Sequence, residues 1–102
     1  MIEINGLLWD IRVEHPYDPI FLNKERIYTL GACDTTTRTI YLASNIRRSK
    51  LKEVLCHEIA HAVIFSYDIE LNYEQEELFA NIIALHGEEI LNLTNNILRV
   101  LQ

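Results

Sequence analysis

Cysteine, proline and glycine are scarce in this sequence: two, two and three in 102 residues. Two cysteines, Cys33 and Cys56, cannot build a disulfide framework, so the chain has to hold itself together through a packed core. So little glycine and proline excludes a fibrous or low-complexity chain and confines the breaks to a few places. Long apolar runs are missing as well: none reaches the roughly 18 residues of a membrane-spanning helix. The opening Met1-Ile2-Glu3-Ile4-Asn5-Gly6 is acidic and lacks the layout of a secretory signal. The expected location is therefore the cytoplasm, with no membrane partner. Positive charge is in deficit, and the formal net charge of −6 disfavours a nucleic-acid partner. Arg47, Arg48, Lys50 and Lys52 form a local exception, read as the solvated entrance of a helix. What remains is ordinary globular composition, enough for one small domain over residues 1–102.

Apolar periodicity then sketches the elements. Trp9, Ile11 and Val13 alternate with Asp10, Arg12 and Glu14, which predicts a half-buried strand over Leu7 to Glu14. His15-Pro16-Tyr17-Asp18-Pro19 ends it, because proline cannot continue a ladder. A hairpin is expected next, pairing Ile27–Cys33 with the β-branched and aromatic Thr39–Ala43, with turn chemistry over Gly31 to Arg38. Ser49 is a suitable cap for a helix running from near Lys50 to about Ser66 or Tyr67. Asn72 and Gln75 fit a capping box for a second helix. Gly87 either breaks that helix or is tolerated inside it, and Glu88 to Leu101 again has helical spacing. The fold class predicted is α+β: about three strands in a small antiparallel or mixed sheet, packed on a central helix, with one or two helices following.

The chemistry lies in the central helix, where His57-Glu58-Ile59-Ala60-His61 forms an H-E-x-x-H pattern. Residues four apart share a helix face, so His57 and His61 can offer two imidazoles to one ion. Glu58 is placed beside that ion, as a base for a water molecule. The surrounding helix is apolar nearly all round, and two buried histidines and a glutamate are costly there unless something satisfies them. A Zn²⁺ ion would do so. The plainer alternative is a merely structural histidine pair.

A catalytic zinc normally takes a third protein ligand. Cys56 points about 100° away from His57 around the helix, and His15 lies in a proline turn. Cys33 and His86 are further candidates. The acidic run Glu74, Glu76, Glu77 offers more. Glu77 and Asn81 are four apart and share a face, which suits a ligand and a group that orients a ligand histidine. Glu77 is thus the first candidate and Glu76 its main rival. Tyr67, Tyr73 and His86 are the side chains considered for steadying an oxyanion.

His57-Glu58-Ile59-Ala60-His61 followed by Glu77-Leu78-Phe79-Ala80-Asn81 resembles the gluzincin class, whose third zinc ligand is a glutamate on a following helix. The order Gly31-Ala32-Cys33-Asp34, Thr39–Leu42, Leu55–His61, Glu76-Glu77 and Gly87–Ile90 is similar to compact phage and prophage members of the ImmA/IrrE-like metallopeptidases, over roughly residues 25 to 91. The resemblance implies a zincin-like fold, Zn²⁺ held by His57, His61 and Glu77, and peptide-bond hydrolysis with Glu58 as general base. It also implies a peptide or protein substrate, in some members a transcriptional repressor. The substrate is expected to add as a strand along Thr39–Leu42. The rival function is a non-catalytic module that binds and sequesters a protein partner.

Overall fold

A computed structural model describes all residues, Met1–Gln102. The chain runs β1 (Ile2–Ile4), β2 (Leu7–Glu14), a single 3-10 turn (Pro19–Phe21), β3 (Gly31–Asp34), β4 (Thr39–Ala43), α1 (Arg48–Ser66) and α2 (Tyr73–Leu101). The class is the expected α+β one, with His57 and His61 on α1. No helix is long and apolar enough to cross a membrane.

The strands form one mixed sheet in the order β1-β2-β4-β3. Its first strand lies outside the expected set, although its signal is present. Asn5 and Gly6 both take positive φ, 47° and 79°, as the tightest hairpin turn demands. They fold Ile2 against Trp9 and Ile4 against Leu7. β2 and β4 pair in parallel, Asp10 beside Thr39 through Glu14 beside Ala43. The segment between β2 and β3 carries the chain to the far side of the sheet. β4 then turns back and fits between β3 and β2.

The hairpin strand before β4 begins at Gly31, not Ile27. The backbone of the preceding residues is used locally. Asn23 Oδ1 accepts from the Glu25 and Ile27 amides, Arg26 sits at φ 62°, and Thr29 bonds through its amide and hydroxyl to the Phe21 carbonyl. Such local bonds compete directly with a ladder. From Gly31, opposite Leu42, to Asp34, opposite Thr39, the ladder is regular.

α1 lies across the sheet on a core of Trp9, Ile40 and Ala62. Trp9 is fully buried, its indole N–H donating to Ser66 Oγ at 2.9 Å, and its ring meets Phe65 edge-on at 5.9 Å. These contacts fix the C-terminal end of α1 against β2. Buried Ala62, facing Trp9 and Ile40, lets the helix approach the strands closely.

The start of α1 differs from expectation. Arg47, not Ser49, is the N-cap residue, and no side chain caps it. The Lys50 and Leu51 amides both bond to the Arg47 carbonyl, which puts Ser49 inside the first turn. The basic entrance is solvated as expected, with exposed pairs Lys50–Glu53 and Lys52–Glu88. α2 opens with the complete capping box of Asn72 and Gln75 and continues unbroken through Gly87. It returns antiparallel along α1, with Glu76 beside His61, Ile83 beside Cys56 and Glu88 beside Lys52.

Candidate metal centre

The helix pair brings three donor groups to one point. His57 and His61 sit one turn apart on α1, with their Nε2 atoms 3.2 Å apart. From α2, Glu77 places Oε1 2.9 Å from His61 Nε2 and Oε2 3.5 Å from His57 Nε2. The chemistry and the size of this triangle both fit zinc. Two imidazoles and a carboxylate are a known donor set for catalytic zinc, and donors 2.0–2.1 Å from a tetrahedral ion stand about 3.3 Å from one another.

Glu76, the rival for third ligand, occupies a different place. Its Oε2 lies 2.7 Å from His61 Nδ1, on the far side of the ring. A carboxylate there accepts a hydrogen bond from Nδ1–H, which leaves the Nε2 lone pair facing His57 and Glu77. The two adjacent glutamates thus touch the same imidazole at opposite nitrogens. Asn81, one turn after Glu77, approaches His57 with its side chain. Burial pulls His57 below the ordinary histidine range, against the opposing pull of Glu77. A neutral imidazole is the form that binds metal.

Glu58 faces a cleft of about 620 Å³ between the helices, β3 and the Ile20–Lys24 loop. It is only 7% exposed. Burial pushes its carboxyl up to about 7, with His61 opposing and Glu77 adding to the rise. The backbone of β3 is what covers it. A Cβ on Gly31 would stand 2.9 Å from both Glu58 Cγ and Val54 Cγ1, and 3.0 Å from Glu58 Oε2. Gly31 escaped the sequence analysis as a site residue; a lone glycine opening a strand is the sign of such a close approach. Gly31→Ala should cost about 1–3 kcal/mol in denaturant unfolding, because strand or carboxylate must move aside.

A second prediction concerns metal-free protein. Glu58 has a folded value of about 7 against an ordinary 4.5, so the folded chain holds the extra proton between these limits. Stability contributed by that proton is present at low pH and lost as pH rises from 4.5 to 7, by about 3 kcal/mol in all. Glu58→Gln should remove this slope. Urea unfolding of both proteins in chelator at pH 5 and pH 8 measures the difference. His57 tilts the dependence the other way, but Glu58 is not among the groups acting on it, so it cancels in the comparison.

The other candidates stay apart from the cluster. His15 is exposed, and its Nδ1 accepts from the Tyr17 amide. His86 is exposed near Glu89. Cys56 rests against the Ile83 carbonyl. Cys33 lines the cleft, where burial first, then Glu58, Glu76 and Asp34, push its thiol up to about 12. Of the side chains considered for an oxyanion, Tyr73 lines the cleft and Tyr67 and His86 do not.

The expected substrate edge also moves. β4 is paired on both sides, so Thr39–Leu42 is interior, and β3 is the free edge beside α1. The Leu30 carbonyl accepts from Ala43. By the alternation of an antiparallel ladder, Gly31 and Cys33 then turn their amides and carbonyls outward. Thr29 Oγ1 already meets the Gly31 carbonyl, which leaves Cys33 with the freer pair.

Residues 14–93 match the family model of peptidase M78, the IrrE N-terminal-like domain. The chain belongs to this family. Neither the curated proteins nor the solved structures offer a match. Membership in M78 marks the IrrE-like chain as a metallopeptidase-type protein. The span from the end of β2 into the second half of α2 contains every residue of the cleft described above. In this IrrE-like domain the His57–His61–Glu77 cluster is the place where a metal ion could be held, zinc being the typical one.

Proposed function

We propose that this protein is a zinc-dependent endopeptidase, with residues 1–102 acting as one catalytic domain. The observation that carries the reading is the convergence of His57 Nε2, His61 Nε2 and the Glu77 carboxylate next to Glu58, at spacings suited to a tetrahedral ion. His57, His61 and Glu77 would hold the zinc, which when bound polarises the scissile carbonyl and acidifies the attacking water. Glu58 accepts the proton of that water and delivers it to the amine nitrogen as the peptide bond breaks. A carboxyl poised near 7 is suited to both halves of that transfer. Glu76 keeps His61 in the required tautomer, and Asn81 steadies His57.

The substrate is an extended peptide that adds as a strand to β3, gripped by the outward amide and carbonyl of Cys33. Backbone pairing of this kind gives hold with little side-chain selectivity. An exposed, extended segment of a transcriptional repressor is the kind of target that the ImmA/IrrE-like resemblance implies. The test is cleavage of a mixed library of extended peptides by zinc-loaded protein. Cleavage should disappear with chelator and return with one equivalent of zinc per chain. A zinc-loaded protein that cleaves nothing in the library would favour a module that only binds its partner.

A further inference from the structure

The second helix outruns the helix it packs on. α1 begins at Arg48, and the antiparallel register sets Lys52 beside Glu88, so α2 leaves its neighbour behind near Leu91. The molecule measures 50 × 30 × 28 Å, and a 29-residue helix accounts for about 44 Å of that length. The packing face does not stop where the neighbour stops. Ala80, Ile83 and Gly87 face α1, and the same stripe continues at helical spacing through Leu91, Thr94, Leu98 and Leu101. Leu91 and Leu101 are 64% and 75% exposed. Between Ile90 and Leu101 the single ionisable side chain is Arg99. It projects from the opposite side, where it bonds to Asn96.

We propose that two copies of this chain pair through residues 90–101, their helices antiparallel. Surface area supports a second copy as the occupant. A compact monomer of 11.9 kDa exposes about 6,000 Å², whereas this chain exposes 7677 Å². The surplus, about 1,700 Å², falls within the range of about 1,000–2,500 Å² that each chain gives up in an obligate homodimer. Geometry agrees. A partner's tail lying antiparallel to α2 runs in the direction of α1 and fills the lane that α1 leaves open. It ends at the groove made by Cys56, Ile83, Gly87 and Leu91. Each chain carries −6, but the charge at the contact is limited to Glu88 on the groove wall, and Lys52 pairs with it, so repulsion is not focused there. None of these residues lines the catalytic cleft, and the pairing stands or falls independently of the proposed activity.

The test is sedimentation equilibrium on the full chain from micromolar to millimolar concentration. Wild type should have the mass of two chains. Leu91→Glu and Leu98→Glu should each weaken the dimer about 100-fold by burying an unpaired charge, with helix content and zinc binding unchanged. Thr94→Cys, near the middle of the segment, should form an interchain disulfide on oxidation, and Leu101→Cys, at its end, should not. Three results would overturn the proposal: a wild type monomeric throughout, whatever other protein it captures; a dimer indifferent to both glutamates; or cross-linking through Leu101→Cys instead of Thr94→Cys.

Discussion

Glu58→Gln is expected to lower the rate of peptide cleavage about 10²–10⁴-fold, the usual contribution of a positioned general base, while zinc content stays at the wild-type level. The two halves of this expectation come from different atoms. The donor triangle is built by His57, His61 and Glu77, and Glu58 is not part of it. The amide of glutamine has the size of the carboxylate and fits under Gly31 equally well, but it cannot accept and return a proton. The measurement is kcat on a peptide substrate beside metal analysis of the same preparation. Full activity in the zinc-loaded variant would exclude the mechanism. Loss of zinc together with activity would show that Glu58 has a structural hold on the ion.

The second large effect distinguishes two neighbours in the sequence. Glu77→Ala should lose zinc at concentrations that saturate the wild type, since it removes one of three protein donors. Glu76→Ala should still bind zinc, about 10–100-fold more weakly, as befits a group that orients a ligand histidine. The physical difference is which nitrogen of His61 each carboxylate meets: Nε2 for Glu77 at 2.9 Å, Nδ1 for Glu76 at 2.7 Å. Titration with a competing chelator measures both. Equal loss in the two variants would mean that the glutamates share the ion, and loss in Glu76→Ala alone would exchange their roles.

Much of this site was legible in the sequence, because its parts lie on helices and helical spacing is rigid. His57 and His61 four apart, and Glu77 with Asn81 four apart, fix two faces, and only the meeting of those faces had to be supplied by the fold. The choice between Glu76 and Glu77 was less accessible. Adjacent residues differ by about 100° around a helix, and both directions turn out to reach the same imidazole. The sheet was harder to read. Strand existence follows from alternation, as in Trp9, Ile11 and Val13, but pairing partners do not. Nothing in Leu7–Glu14 or Thr39–Ala43 announces that these two run side by side and parallel. Gly31 is the clearest omission, since its importance comes from a glutamate far along the chain. Ser49 shows that a good capping residue is an opportunity the backbone can decline.

The division of labour between hairpin and sheet bears on how the molecule assembles. The proposed zinc donors all come from α1 and α2, which are consecutive and joined by a short connection, whereas β2 and β4 meet only after a long intervening loop has closed. Contacts between near neighbours form quickly, and distant strand pairing is slow. An ion captured by the helix hairpin would therefore act as a clasp on a folding intermediate, and its binding energy would favour the native helix register before the β3 edge exists.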